Sequence, residues 1–356
     1  MKILHTSDLH IGSPLTSRLS QEKVRERKGE LLANFERMIE EAVYQKVEIF
    51  IIAGDLFDSD KITRSAAERV LGAIARCPRI DFLYLSGNHE KNALTESGIS
   101  LPDNLKLFGD EWTYFDYGNV CIAGRNNITP GMFEKLDLDY RKTNIAVLHG
   151  ALSDGKTGGE IIGRRELEGR HVDYLALGHY HSYSAHKIDD TGIAVYAGTP
   201  EGRGFDEVGD KGFVLIDADG KHAAHSFIKF AKRTLRIIDV DLDGAGSGRE
   251  VDARVDASLS GIPHTDLVRV RLCGKRVPEL FPDEDAIKSR WQSAFYHFEV
   301  RDESTIRINP EDYKYDRSLK GEFIRLVISK TDISDEEKDK IIRTGLAALM
   351  GECDEI

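Results

Sequence analysis

Short apolar runs alternate with amphipathic stretches along the first 230 residues of this chain. The runs at 2–7, 48–53 and 81–86 predict strands, and the continuous, β-branched run at 48–53 predicts a strand covered on both faces. Between the first two, Leu31, Phe35 and Ile39 recur at helical spacing, which predicts a long amphipathic helix over 24–47. A second helix is predicted over 63–76. This order of strands and helices predicts an α/β fold with parallel pairing.

After residue 112 the hydrophobic pattern predicts mostly strands, followed by a boundary and a smaller mixed region. A hairpin-like region at 112–123 precedes predicted strands at 145–148, 173–177, 194–197 and 213–216. The Gly-Ala-Gly-Ser-Gly stretch at 244–248 is typical of a boundary, and short strands and helices alternate after it. A terminal helix is predicted over 334–350, where Ser334 and Glu337 form a capping-box pattern. We predict a first domain at 1–238, a smaller α+β domain at 239–330 and a C-terminal helical segment at 331–356.

Composition limits the classes of protein that fit. With 40% hydrophobic and 31% charged residues, the chain of 356 residues is expected to be globular. Its apolar runs are too short to cross a bilayer and no signal peptide is apparent, so a cytoplasmic location is expected. The net charge of −12 disfavours a chain that binds nucleic acid unaided. A polyanionic substrate would need bound cations, a local basic patch or a basic partner.

Side chains with metal-ligand chemistry follow five of the predicted strands. They are Asp8, His10, Asp55, Asn88, His89, His149, His179 and His181. A single histidine or aspartate at a strand end is more often a hydrogen-bonded or turn residue. Five such strand ends together are better explained by one shared site, because the carboxyl ends of strands in a parallel sheet lie along one edge. We therefore expect these side chains to converge.

The donor set indicates the kind of ion. Imidazole nitrogens mixed with carboxylate and amide oxygens suit manganese, iron or zinc better than calcium. Two divalent cations would be only half neutralised by Asp8 and Asp55, so they would attract phosphate and acidify a water molecule. Asp55, central in the order, is the natural bridge. We predict two divalent metal ions, with manganese the first choice and iron, zinc or magnesium left open.

These motifs resemble the calcineurin-like metallophosphoesterases, whose pattern along the chain is DxH, GD, GNH(E/D), H and GHxH. Every element is present here, in order. The resemblance implies a sandwich of two packed sheets flanked by helices. It implies two metal sites, one held by Asp8, His10, Asp55 and His181 and the other by Asp55, Asn88, His149 and His179. It also implies that His89 protonates the leaving oxygen or stabilises the charged transition state.

Two further residues lie close to these motifs in the sequence. Asp58 stands where related phosphatases carry an acid that orients the catalytic histidine, and a cap or turn role is equally open. Arg203 lies in a loop beside the proposed site and is expected to contact a substrate phosphate. We therefore count Asp58 as a candidate catalytic residue and Arg203 as a candidate substrate-binding residue.

Longer stretches narrow the resemblance to the SbcD-like exonucleases of DNA double-strand-break repair. These stretches are residues 5–12, 54–58 and 196–207. The last is similar to the Tyr-Pro-Gly-Asn-Pro-Gln-Gly-Arg pattern of the YhaO-like bacterial branch, from which Ala197 and Thr199 depart. The resemblance implies a DNA exonuclease with some endonuclease activity, a capping domain, an SbcC-type SMC-like ATPase partner and a homodimer. A nucleotide or phosphoprotein metallophosphoesterase and a non-enzymatic, metal-stabilised scaffold are the alternatives.

Overall fold

The computed structural model describes residues 1–15, 19–90, 94, 98–219, 222–277, 280–307 and 313–350. Contacts divide the chain into two compact units, Met1–Leu235 and Arg236–Ile356. The three domains expected from the sequence remain a prediction. Within the described ranges, none of the helices has both the length and the apolar character needed to cross a membrane.

The described part of the first unit is built from two six-stranded sheets, a small two-stranded sheet and the helices beside them. In chain order, its elements are β1 (Lys2–Thr6), α1 (Gln21–Tyr44), β2 (Ile49–Ala53), α2 (Arg64–Ala75), β3 (Asp81–Leu85), β4 (Leu105–Leu107), β5 (Thr113–Tyr117), β6 (Val120–Gly124), a 3₁₀ helix (Met132–Lys135), β7 (Thr143–His149), β8 (Ala151–Ser153), β9 (Ile161–Gly163), α3 (Arg164–Leu167), β10 (Tyr174–Gly178), β11 (Ser184–Lys187), β12 (Ile193–Tyr196), β13 (Gly212–Ala218) and β14 (Ala223–Lys229). This is the α/β sandwich that the resemblance implied.

The first sheet has the strand order β14-β13-β1-β2-β3-β4, and β1 to β4 are parallel to one another. Strand β2 shows why its apolar run is continuous. Phe50 and Ile52 pack in a core with residues of α1 and α2, whereas Ile51 and Ala53 pack against the second sheet. Side chains alternate across a strand, so a strand buried on both faces needs apolar residues at every position.

The second sheet has the order β11-β12-β10-β7-β6-β5, with β6, β7, β10 and β12 parallel. This sheet corrects one sequence expectation. The five ligand-bearing strand ends do not share one sheet, because β1, β2 and β3 belong to the first sheet and β7 and β10 to the second. The candidate ligands converge because the two sheets face each other and the carboxyl ends of these strands lie together.

Most predicted elements of the first unit are present with small shifts at their ends. Helix α1 begins at Gln21 rather than at 24, because the Ser20 side chain accepts a hydrogen bond from the backbone N–H of Lys23 and caps the helix earlier. The hairpin-like region is the antiparallel pair β5 and β6. Strand β14 at the edge of the sheet was not predicted, since its sequence Ala-Ala-His-Ser-Phe-Ile-Lys has neither a continuous apolar run nor a strict alternation of polar and apolar residues.

The second unit contains a three-stranded sheet, a two-stranded sheet and four helices in its described part. Its elements are β15 (Leu235–Asp241), α4 (Gly248–Leu259), β16 (Leu267–Cys273), β17 (Lys275–Arg276), α5 (Glu284–Trp291), β18 (His297–Asp302), β19 (Thr305–Ile306), α6 (Leu319–Ile328) and α7 (Asp335–Met350). The stretch 244–248 lies inside this unit. Ala245 is buried in its core, and Ser247 caps α4, a helix that was not predicted.

The last helix forms as its capping signal predicted. The backbone N–H of Ser334 donates to the Glu337 carboxylate at 2.8 Å, and the backbone N–H of Glu337 donates to Ser334 Oγ at 3.3 Å. Helix α7 then packs on α6, where Ile342 and Leu346 are buried with Ile324. Residues 351–356 of the predicted helical segment lie outside the described residues.

Candidate metal centre

The backbone at the strand ends is held in an uncommon conformation. Among the described residues with a side chain, Asp8, His10, Asp55 and His179 have φ values of 53°, 46°, 52° and 108°. Left-handed backbone is unfavourable for such residues and is concentrated at functional sites. Hydrogen bonds between the loops hold it, since Asp8 N–H donates to Gly54 O at 3.0 Å and His10 N–H donates to Asp55 O at 2.9 Å.

At two positions of the motifs only glycine fits, because the backbone there lies directly against a candidate ligand. A Cβ atom on Gly54, whose φ is +91°, would lie 2.2 Å from Nδ1 of His149. A Cβ atom on Gly87 would lie 1.8 Å from a carboxylate oxygen of Asp55. Glycine therefore precedes Asp55 and Asn88 because the backbone there packs directly on candidate ligands.

Asp8, His10 and His181 form one candidate ligand group, whose donor atoms lie within 4.8 Å of one another. The Nε2 atoms of His10 and His181 are 3.3 Å apart. Glu207 Oε1 lies 2.7 Å from Nδ1 of His181, and Asp58 Oδ1 lies 3.1 Å from Nδ1 of His10, although off the ideal hydrogen-bond direction. Carboxylates at Nδ1 favour the tautomer with a lone pair on Nε2. Two lone pairs face each other, so this group fits a cation.

Asp8, Asp55 and His149 form the second candidate group, again within 4.8 Å. Nδ1 of His149 donates to Ala53 O at 2.9 Å, so Nε2 is the atom at which a cation would replace a proton. That Nε2 lies 3.1 Å from Asn88 Oδ1 and 3.4 Å from Asp55 Oδ2. Burial alone would lower the pKa of His149, but Asp55 and Asp8 outweigh it and raise this pKa to about 9. The arrangement of acceptor atoms around His149 therefore favours a positive charge.

Asp55 connects the two groups. Its Oδ2 atom lies 3.6 Å from Nε2 of His10 and 3.4 Å from Nε2 of His149. Burial would raise the pKa of Asp55, but His149 and His10 lower it to about 2, so the side chain is a carboxylate. One charged oxygen between an imidazole of each group is the arrangement that a bridging ligand needs.

The ring of His179 lies farther from the other candidate ligands. Its ring packs edge-on against His149 with 5.6 Å between the ring centroids, and it belongs to neither group. Its backbone N–H donates to Asp8 at 3.0 Å. Burial and the nearby His149 lower the pKa of His179, which keeps the ring neutral. Its assignment to the second metal ion stays a prediction.

His89 and Asp58 lie at the edge of these groups. The exposed His89 places Nδ1 3.3 Å from the backbone carbonyl of Asp58, and its ring centroid is 5.0 Å from that of His10. The Asp58 carboxylate faces His10 and Arg203 instead, at 3.1 and 3.2 Å. Asp58 therefore contacts His89 through its backbone. His10, Asp58 and His89 could also hold a cation, but the Arg203 guanidinium beside Asp58 disfavours one there.

Three carboxylates in this region were not assigned from the sequence. Glu90 is buried and accepts hydrogen bonds from the backbone N–H groups of Leu56 and Phe57 at 2.5 and 2.6 Å. Glu160 accepts from Nδ2 of Asn88 at 3.1 Å. Glu207 is the partner of His181. The position of Glu90 directly after the GNH motif was a usable signal, whereas nothing near Glu160 in the sequence connects it with Asn88.

The contact of Glu160 with Asn88 has a testable consequence. Because Glu160 accepts from Nδ2, it fixes the Asn88 amide with Oδ1 towards His149. We expect Glu160→Ala to weaken Mn²⁺ binding about tenfold, the lower end of the effect of removing a residue that orients a metal ligand. Isothermal titration calorimetry would measure it, with the exposed Glu168→Ala on the same unit as the control. Unchanged affinity would mean that Asn88 keeps its orientation without Glu160.

Comparisons with known proteins agree with this site. The family model described as Calcineurin-like phosphoesterase matches residues 1–183. The chain is 26% identical to "Uncharacterized metallophosphoesterase YhaO" of Bacillus subtilis over 64% of this chain and 60% of that protein. It is also 26% identical to "DNA double-strand break repair protein Mre11" of Methanopyrus kandleri, over 67% of this chain and 59% of that protein.

The chain thus spans about three fifths of the length of these two curated relatives. Among solved structures, TT1561 of Thermus thermophilus aligns with a TM-score of 0.43 and 10% identity, over 64% of this chain and 98% of that one. The family match covers more than half of the chain and includes every candidate metal ligand. The chain belongs to the calcineurin-like phosphoesterase family, a family of metal-dependent phosphoesterases with a dinuclear metal site.

Proposed function

We propose that this chain is a manganese-dependent nuclease that hydrolyses phosphodiester bonds of DNA during the processing and repair of DNA ends. The observation that carries the proposal is the likeness to Mre11 proteins named for DNA double-strand break repair. The likeness to Mre11 of Methanopyrus kandleri covers 67% of this chain, which is more than the family match to residues 1–183. It therefore includes residues outside the 1–183 stretch that the family model matches.

The residues of the site have distinct roles in the proposed reaction. Asp8, His10, Asp55 and His181 would hold one ion, and Asp55, Asn88, His149 and His179 the other. When bound, the ions would polarise the phosphoryl group and lower the pKa of a water molecule. His89 is within reach of this region, and its Nδ1 faces the Asp58 carbonyl, so Nε2 is the atom that would give a proton to the leaving 3′ oxygen.

The charge of the chain favours a partner. A net charge of −12 opposes DNA, and neutralising phosphates normally needs a basic surface. We propose that an SbcC-type SMC-like ATPase supplies most of the affinity for DNA and that the chain works as a homodimer. The isolated chain would then cleave DNA slowly and with strong dependence on salt.

A cavity beside the site favours a second candidate, a nucleotide phosphodiesterase. It has a volume of about 660 Å³ and is lined by Ser86, Asn88, Asn126, His149 and Glu160 among others. This volume is in the range of small-molecule sites, and a mononucleotide fits it whereas a duplex does not. A small substrate could therefore reach Asn88 and His149 without any partner.

Competing substrates test the proposal. Purified full-length chain with Mn²⁺ would receive end-labelled linear duplex DNA, circular single-stranded DNA, a cyclic nucleotide and a phosphopeptide at equal phosphoester concentration and low salt. We expect kcat/KM to be highest for a DNA substrate. Faster turnover of the cyclic nucleotide or the phosphopeptide would contradict the nuclease proposal and favour the corresponding alternative. No turnover of any phosphoester by the metal-loaded chain would favour the scaffold.

A further inference from the structure

Arg203 lies between two carboxylates that come from different parts of the chain. Its Nη1 donates to Asp58 Oδ1 at 3.2 Å, and its Nη2 and Nε donate to Glu207 Oε1 at 2.6 and 3.0 Å. Its backbone N–H also donates to Glu207, at 2.7 Å. One guanidinium thus joins the loop after β2 to the loop between β12 and β13.

Each of these carboxylates also contacts a candidate metal ligand. Glu207 lies 2.7 Å from Nδ1 of His181, and Asp58 lies 3.1 Å from Nδ1 of His10. These two imidazoles belong to the same ligand group, with their Nε2 atoms 3.3 Å apart. The contacts form a closed ring from His10 through Asp58, Arg203 and Glu207 to His181.

The chemistry of a guanidinium explains why an arginine suits this place. Its planar fork fixes the separation of two carboxylates that would otherwise repel each other, and a lysine presents only a point charge. Each carboxylate favours a proton on Nδ1 and therefore a lone pair on Nε2. Nη2 of Arg203 also lies 3.1 Å from Nδ1 of His181, so the guanidinium acts on this ring directly as well as through Glu207, which is closer to the same atom at 2.7 Å. By setting where Asp58 and Glu207 lie, Arg203 determines the orientation of both rings.

The loop that carries Arg203 is itself anchored on α1. Arg27, only 1% exposed, donates to Glu201 at 2.9 Å and to the carbonyl of Gly202 at 2.6 Å. Asn34 of the same helix donates to Glu201 at 2.9 Å. The backbone just before Arg203 is therefore held by a buried polar network, and a rigid support is what a positioning residue needs.

We propose that Arg203 is a positioning residue for one metal site, acting through Asp58 and Glu207 on His10 and His181, rather than a direct ligand of the substrate phosphate. This inference rests on the metal-dependent hydrolysis proposed above, but it is independent of the substrate. Its first readout is metal binding, so failure of the DNA substrate and failure of this inference are distinguishable.

The test compares Arg203→Ala with the wild-type full-length chain. Equilibrium dialysis with metal analysis would give the number of Mn²⁺ ions bound and their affinities. We expect affinity at one of the two sites to fall by about 10- to 100-fold and the other to change little. Hydrolysis of bis(p-nitrophenyl) phosphate should show a lower kcat at limiting Mn²⁺, recovery at excess Mn²⁺ and an unchanged KM.

A matched control is available on α2. Arg69 also binds a carboxylate with two nitrogens, with Nη2 and Nε at 2.6 and 3.3 Å from Glu36, but it is exposed and contacts no candidate ligand. Arg69→Ala should leave Mn²⁺ binding and hydrolysis unchanged. If Arg203→Ala does not fold, Glu207→Gln provides the same comparison, because it preserves the volume and removes the charge beside His181.

Two outcomes of the Arg203→Ala measurements would contradict the positioning role. If Mn²⁺ affinity and stoichiometry are unchanged at both sites while KM rises, Arg203 contacts the substrate phosphate and the proposed positioning role is wrong. Equal weakening of both sites would also overturn it, because the ring of contacts includes His10 and His181 but not His149.

Discussion

Asp55→Asn is expected to abolish tight binding of Mn²⁺ and to lower kcat/KM for any phosphodiester by about 10³-fold, as removal of a key electrostatic group from an active site does. Asp55 Oδ2 lies within 3.6 Å of a histidine from each candidate ligand group. Asparagine keeps the shape of the side chain but loses its charge, and only one of its two terminal atoms can bind a cation. Both candidate sites would lose a ligand at once.

Metal binding and hydrolysis should both be measured for this variant. Equilibrium dialysis gives the stoichiometry, and bis(p-nitrophenyl) phosphate gives kcat/KM without requiring DNA binding. The exposed Asp103→Asn is the control for a change of one charge elsewhere on the same unit. A variant that still binds two ions and retains activity would show that Asp55 is not the bridge, and the separation of the two groups would need another explanation.

The sequence predicted β1, β2 and β3 of the first sheet well, because their apolar runs end in polar motifs, but it missed β4 and β14 of the same sheet. The packing of β2 gives the physical reason, since each of its faces is buried against a different layer. Hydrophobic periodicity does not, however, tell which strands share a sheet. The position of His149 and His179 on a second sheet was therefore not derivable from spacing.

The motifs also selected most of the residues that the structure brings together. Asp8, His10, Asp55, His149 and His181 all fall in the compact groups. Their carboxylate partners were harder to find, because Glu207 and Glu160 lie in loops far along the chain from the residues they contact. A charged loop residue shows the same local pattern whether it is solvated or buried against a ligand. Only tertiary structure distinguishes the two.

His89→Ala is expected to leave both metal ions in place and to slow the hydrolysis of DNA by about 10²- to 10⁴-fold, the usual contribution of general acid catalysis. His89 is absent from the two groups that contain Asp8, so its removal takes no ligand from them. Its Nδ1 is placed near the Asp58 carbonyl, at 3.3 Å, which leaves Nε2 for the substrate. Mn²⁺ stoichiometry should equal that of the wild type.

The leaving group tells whether His89 donates a proton. The 3′ oxygen of a nucleotide is a poor leaving group and needs protonation, whereas p-nitrophenolate leaves readily as an anion. His89→Ala should therefore slow DNA hydrolysis far more than hydrolysis of bis(p-nitrophenyl) phosphate, with the exposed His186→Ala as the control on both substrates. Equal losses on both would indicate that His89 stabilises charge in the transition state instead. Loss of bound Mn²⁺ would make it a metal ligand, contrary to its place at the edge of the two groups.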